Sequence, residues 1–358
     1  MTETANHTQP QQASPDGRVE YFDLLRLAAS FGVIVLHLSA QHWADAGVDT
    51  AAWRAFNFYD GLVRWCVPVF AMISGALFLS RPVSMEKLWR KHVARIALAF
   101  IFWSALYAAV SALRYGASLG GFLSEFVRGH YHLWFLFMIA GLYMLVPLLQ
   151  PIAQSERLLR YFLLLSFFFA YLLPELAALI ALVTNRAGAS LQAVLAFVDL
   201  RFVMGYPSYF LLGYALNRRT IGRREELAIY ALGAAGFVFT VAATRAVSLR
   251  MSAPFGQFYG PFSVNVLLSA IAVFTFFKQH PVPDGALRRA IRRLSGGSFG
   301  AYLIHALLID SLACELGIDT LSFAPMLSIP ALAMLVFVGA YAASLLLGCI
   351  PLLRGRIV

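Results

Sequence analysis

Apolar runs long enough to cross the hydrocarbon core of a membrane recur along nearly the whole chain. A spanning helix needs about 20 such residues in a row. Residues of hydrophobic type make up 60% of the sequence and charged ones only 13%. A soluble domain is nearer half apolar and about a quarter charged. The fold class is therefore all-α: a polytopic integral membrane protein, in which no polar stretch is long enough to build a second domain.

We read ten spans: Tyr21–Gln41, Asn57–Ser80, His92–Tyr115, Tyr131–Gln150, Leu158–Val183, Phe202–Asn217, Leu227–Ser248, Phe262–Phe277, Ser298–Cys314 and Leu327–Leu353. Residues 1–20 are polar and read as a disordered tail, leaving 21–358 as one membrane domain. The fifth span is interrupted at Pro174-Glu175, so it is either a kinked helix or a helix followed by a re-entrant piece. A cleavable signal peptide is rejected, because Arg26 and His37 interrupt the apolar core and the run is too long. Cys66, Cys314 and Cys349 form neither a disulfide framework nor a zinc motif and read as small apolar filler.

The connections after even-numbered spans are basic: "SRPVSMEKLWRKH", "SERLLR", "NRRTIGRREE" and "KQHPVPDGALRRAIRRL". Those after odd-numbered spans carry far fewer Lys and Arg. The positive-inside rule then puts both termini and the even loops in the cytoplasm. The net charge of +10 is explained by this orientation, and no nucleic-acid partner is expected.

In the first span, Arg26 and His37 are eleven residues apart. At 100° per residue that is three turns plus roughly 20°, so both side chains share a face, about 16 Å apart along the axis. Arg26 at the edge could simply snorkel, and His37 could be a packing partner. Ionisable groups at membrane depth are costly, however, and usually mark a site. Asp23 reads as a helix-start residue.

At these positions the chain resembles the acyltransferase-3 family of membrane acyltransferases. "YFDLLRLAASFGVIVLHLSA" resembles the family's opening helix with its Arg-x10-His pattern. "RWCVPVFAMISGALFL", "WRKHVARI", "HLWFLFMIAGLYMLVPLL", "YFLLGYAL" and "SFGAYLIHALLI" are similar, in order, to further segments of it. The nearest branch is the surface-polysaccharide O-acyltransferase type, like the enterobacterial-common-antigen O-acetyltransferase.

The resemblance implies transfer of an acyl group, commonly acetyl, from cytoplasmic acyl-CoA to a hydroxyl of an envelope glycan or lipid-linked sugar, at the bacterial inner membrane. Arg26 and His37 match the family's essential pair, and Arg90 and Arg95 its basic motif. The fused extracytoplasmic domain of larger members is not expected after "PLLRGRIV". The acceptor then comes directly to the membrane site, or a separate protein carries the acyl group onward. The sequence leaves monomer against homodimer open.

A mechanism follows. Arg90, Lys91 and Arg95 offer guanidinium and ammonium groups to the charged end of acyl-CoA, although orientation alone explains basic residues there. The pantetheine arm threads from Arg26 towards His37, which acts as general base on the acceptor hydroxyl. Candidates for the oxyanion or acceptor site are Ser74, His132, Trp134, Tyr302 and His305. Ser74-Gly75 reads equally well as a close helix contact. Arg64 and Arg201 are weaker possibilities, and His42, His92, His130 and His280 are set aside as lying in loops or at helix ends. No bound cofactor is expected beyond acyl-CoA as co-substrate, and no metal site. The rival class is a transporter or flippase of a lipid-linked glycan. It is disfavoured by the missing internal repeat and by spans read as free of acidic residues apart from Glu175.

Overall fold

The computed structural model describes residues 19–184, 190, 193–195 and 200–358. Most of the expected tail, 1–18, lies outside the described residues. Every expected span is helical, and no strand occurs among the described residues. The helices are α1 Tyr21–Ala40, α2 Ala51–Val63, α3 Cys66–Phe78, α4 Met85–Tyr115, α5 Leu119–Arg128, α6 Trp134–Gln154, α7 Glu156–Thr184, α8 Tyr206–Arg218, α9 Arg223–Met251, α10 Val264–Gln279, α11 Ala286–Ser295, α12 Ser298–Leu316 and α13 Pro325–Leu347.

Among the described residues, nine helical stretches are long and apolar enough to cross a membrane. The expected sixth span is the one not among them. It is a single turn, Arg201–Met204, then α8, which has only 13 residues. At 1.5 Å per residue α8 is about 20 Å long, short of a hydrocarbon core of about 30 Å.

A helix that is apolar over most of its surface belongs inside a bundle, and α1 is such a helix apart from Asp23, Arg26 and His37. It is the most enclosed of the nine. It packs against α2, α3, α10, α11, α12 and α13, so the Arg26–His37 face is held at the centre of the protein.

Helix α8 makes its main contact with α3, and two glycines allow it. A Cβ at Gly75 would land on the carbonyl oxygen of Phe210, and one at Gly213 on that of Met72. Each helix thus sets a glycine against the other's backbone, the small-residue contact that brings membrane helices together. Gly75 is the close-contact half of the Ser74-Gly75 pair.

Of the two readings at Pro174-Glu175, the helix runs on through the proline rather than breaking into a re-entrant piece there, with a π segment at Phe167–Leu172 just ahead of it. A π turn re-registers the ladder where proline cannot donate. The Glu175 carboxylate accepts the backbone N–H of Val264 at 2.6 Å, which satisfies an orphan donor at the start of α10.

Other readings are corrected. Asp23, Asp60 and Asp310 lie inside helices with Glu175, so the spans hold more acid than expected. Two connections read as loops contain helices, α5 and the arginine-rich α11. Of the cysteines, only Cys66 is buried as filler; Cys314 and Cys349 are exposed, and none is paired.

Candidate active site

One cavity of about 540 Å³ runs along the inner face of α1. That lies within the usual range for a small-molecule site. Arg26 lines it near the start of α1 and His37 near the end, so the spacing argument holds in three dimensions. Ser74 from α3, Arg95 from α4, Trp134 from α6 and Tyr302 from α12 line it as well. Helices distant in sequence thus bring seven of the expected residues, His132 among them, to one space.

Towards the basic connections, two guanidinium groups reach the cavity. Arg26 is held by the Asp23 carboxylate at 3.3 Å, and Asp23 also accepts the Ser295 hydroxyl at 2.8 Å. Asp23 is therefore a buried tether for Arg26 rather than only a helix-start residue. Arg95 lies over the Phe299 ring, 4.8 Å from its centroid. One of its terminal nitrogens donates to the backbone oxygen of Val358 at 3.2 Å, while its buried Nε has no partner in the structure.

Arg90 and Lys91 sit on the π segment Leu88–Val93 at the start of α4, outside the cavity wall. Arg90 is 80% exposed and paired with Glu86 at 2.9 Å. His92, set aside from the sequence, does line the cavity and packs edge-on against Phe78.

The other end is a cluster of imidazoles. His37 stacks on His305 with centroids 5.2 Å apart and meets Tyr131 edge-on at 5.0 Å. His305 in turn lies 5.1 Å from His132. His132 Nδ1 is 3.0 Å from Nδ1 of His130. His130 stacks on Tyr107 at 4.2 Å and pairs through Nε2 with Asp310 at 3.2 Å. His130 and Asp310 were missed. Signals existed, a histidine two residues before His132 and an aspartate inside a span, but nothing in the sequence pairs them.

Hydrogen bonding sorts the oxyanion candidates. The Tyr302 hydroxyl donates to the backbone oxygen of His132. His305 Nδ1 is 2.5 Å from the carbonyl of Tyr302 and must donate to it. The donors of these two residues are thus engaged, and the Ser74 hydroxyl is hydrogen-bonded with Tyr143, which leaves the Trp134 indole N–H as the candidate on the cavity wall. Arg64 also lines the cavity; its guanidinium pairs with Asp60 and lies over the Tyr259 ring at 4.2 Å. No group of three or more His, Cys, Asp or Glu suited to a metal ion occurs among the described residues.

The architecture provides one continuous space with the Arg26 and Arg95 guanidinium groups at one end and the imidazole cluster, with Arg64 paired to Asp60, at the other. Such a space suits a long thin ligand with an anionic head and a reactive tip. The acyltransferase-3 family model, described as an acyltransferase domain, matches residues 19–350. No curated protein and no solved structure matches the chain.

Proposed function

The chain belongs to the acyltransferase-3 family of membrane acyltransferases, and on that premise we propose that it moves an acyl group, acetyl in the simplest case, from acyl-CoA to a hydroxyl of a cell-envelope glycan or lipid-linked sugar. The observation that carries this reading is the single cavity joining Arg26 and Arg95 to His37.

Acyl-CoA enters from the side of the basic connections, which the positive-inside rule makes the cytoplasm, the membrane in this reading being the bacterial inner membrane. Arg26 and Arg95 bind its phosphates, since guanidinium groups suit phosphate oxygens. Arg90 and Lys91, at the exposed rim, add salt-sensitive attraction for the nucleotide. The pantetheine arm follows α1 for about 16 Å, the rise between Arg26 and His37. His37 takes the acceptor hydroxyl's proton as its oxygen attacks the thioester carbonyl. The Trp134 indole N–H on the cavity wall donates to the tetrahedral oxyanion in this reading. The C–S bond then breaks and CoA leaves as thiolate.

The test is transfer itself. Purified protein is incubated with radiolabelled acetyl-CoA and a membrane lipid and glycan extract. Label appearing in a lipid or glycan fraction is the expected result. CoA binding without label in any such fraction contradicts an envelope-hydroxyl acceptor.

A further inference from the structure

The proton removed by His37 has to leave the cavity before the next turnover. The hydrogen bonds beyond His37 define a route. An ionised carboxylate only accepts, so at the His130–Asp310 contact of 3.2 Å the Nε2 of His130 carries the hydrogen. In the tautomer of His130 that keeps its one hydrogen on Nε2, Nδ1 is a lone pair, and the 3.0 Å contact between the two Nδ1 atoms then has its hydrogen on His132. Nε2 of His132 is left as a bare acceptor, and it is buried with no partner.

An unsatisfied buried acceptor of this kind costs about 1–3 kcal/mol, so its position calls for a donor. His132 lines the same cavity as His37 and is only 1% exposed, whereas His130 and Asp310 are 23% and 28% exposed. One residue on, Ser311 and then Glu315 bind Arg114 at 2.8 and 2.6 Å, a polar band at that end of α12. His305 offers no such path, since its Nδ1–H ends on a carbonyl oxygen.

We propose that His132, His130 and Asp310 form a proton outlet from the His37 end of the cavity to the protein surface. This rests on the reading of His37 as the base. The acceptor O–H bond breaks and its proton goes to His37, while the new O–acyl bond forms and the thioester C–S bond breaks. The proton crosses the cavity through a water to His132 Nε2. The hydrogen on His132 Nδ1 passes to His130 Nδ1, that on His130 Nε2 to the Asp310 carboxylate, and Asp310 releases it to water. The CoA thiolate takes its proton from water on the donor side, and a half-turn of each imidazole about its Cβ–Cγ bond returns the hydrogens to the starting positions, so the cycle closes. His130 and Asp310 touch neither donor nor acceptor, and their task is to reset the base.

The outlet is tested by separating the first turnover from the later ones. Rapid-quench acyl transfer is followed with Asp310→Asn, which keeps an acceptor oxygen for His130 but is not a proton carrier, and with His130→Ala with and without added imidazole. The expected result is a first turnover at the wild-type rate. Later turnovers are slowed about 10²-fold, the lower worth of a proton-transfer group, and imidazole restores them in His130→Ala. Wild-type rates throughout in Asp310→Asn overturn the outlet and send the proton directly to the thiolate. Loss of the first turnover in both variants also overturns it, because the residues then act on the chemistry or the fold. His37→Gln run alongside separates the two ideas. If it loses the first turnover while Asp310→Asn loses nothing, only the outlet fails; if it loses nothing, the base assignment fails.

Discussion

Replacing Arg95 with Ala tests how the cavity holds its donor. Arg95 reaches the cavity, has a buried Nε without a partner, and lies over the Phe299 ring. A phosphate oxygen there gains charge-assisted hydrogen bonds, each contributing about 1.5–3 kcal/mol. One such bond corresponds to a loss of about 10- to 150-fold in CoA affinity, at about 1.4 kcal/mol per factor of ten. Arg90 gives the internal comparison. It is exposed and already paired with Glu86, and such surface pairs are worth about 0–1 kcal/mol. Arg90→Ala should therefore weaken CoA binding by no more than about fivefold, and raising the salt concentration should erase the difference. Isothermal titration of CoA into the detergent-purified protein at low and high salt measures both, with thermal unfolding as the control for folding. Equal losses in the two variants, or none for Arg95→Ala in folded protein, would refute donor binding at the cavity arginines. Arg95→Lys should recover only part of the affinity if the contact is a guanidinium fork.

Three other outcomes are expected. Gly75→Ala or Gly213→Ala forces α3 and α8 apart and should destabilise by about 1–3 kcal/mol, the usual cost of overpacking; an unchanged thermal midpoint would deny the close contact. Glu175→Ala removes the acceptor for the Val264 N–H and should cost about 0.5–2 kcal/mol, as lost helix caps do, read by the same melt. In a cysteine-free background, an impermeant thiol reagent on intact cells should label cysteine placed at Gly317 but not at Arg90 or Arg289; the reverse pattern overturns the orientation.

What the sequence revealed is what local spacing encodes. Eleven residues on a regular helix put Arg26 and His37 on one face, and α1 is regular throughout. The apolar runs marked the helices because length and hydropathy are properties of one segment. The sixth span was misjudged because Gly205 splits it into two short pieces that lean on neighbours, the Arg201–Met204 turn on α7 and α8 on α3, rather than on their own length. The arginine-rich α11 was read as a loop because its charges dominate its composition, although its few apolar positions recur at helical spacing. Arg90 and Arg95 look alike in sequence, yet the cavity takes only Arg95. The pairing of His130 with Asp310 joins the start of α6 to the far half of α12, and no one-dimensional pattern carries that contact. Depth in the membrane was the useful clue for His37, while His130, at the edge of a loop, gave none.

The central claim is that His37 is the base, and turnover per folded molecule at saturating acetyl-CoA tests it most directly in wild type, His37→Ala and His37→Gln. Glutamine keeps a polar side chain of similar reach but cannot take a proton. A positioned base is worth about 10²–10⁴-fold, so both variants should fall by that much while CoA affinity stays near wild type, because the donor's charged end is held about 16 Å away at Arg26. A His37→Gln enzyme turning over at near the wild-type rate would contradict the claim and shift the search for the base to His132 and His305.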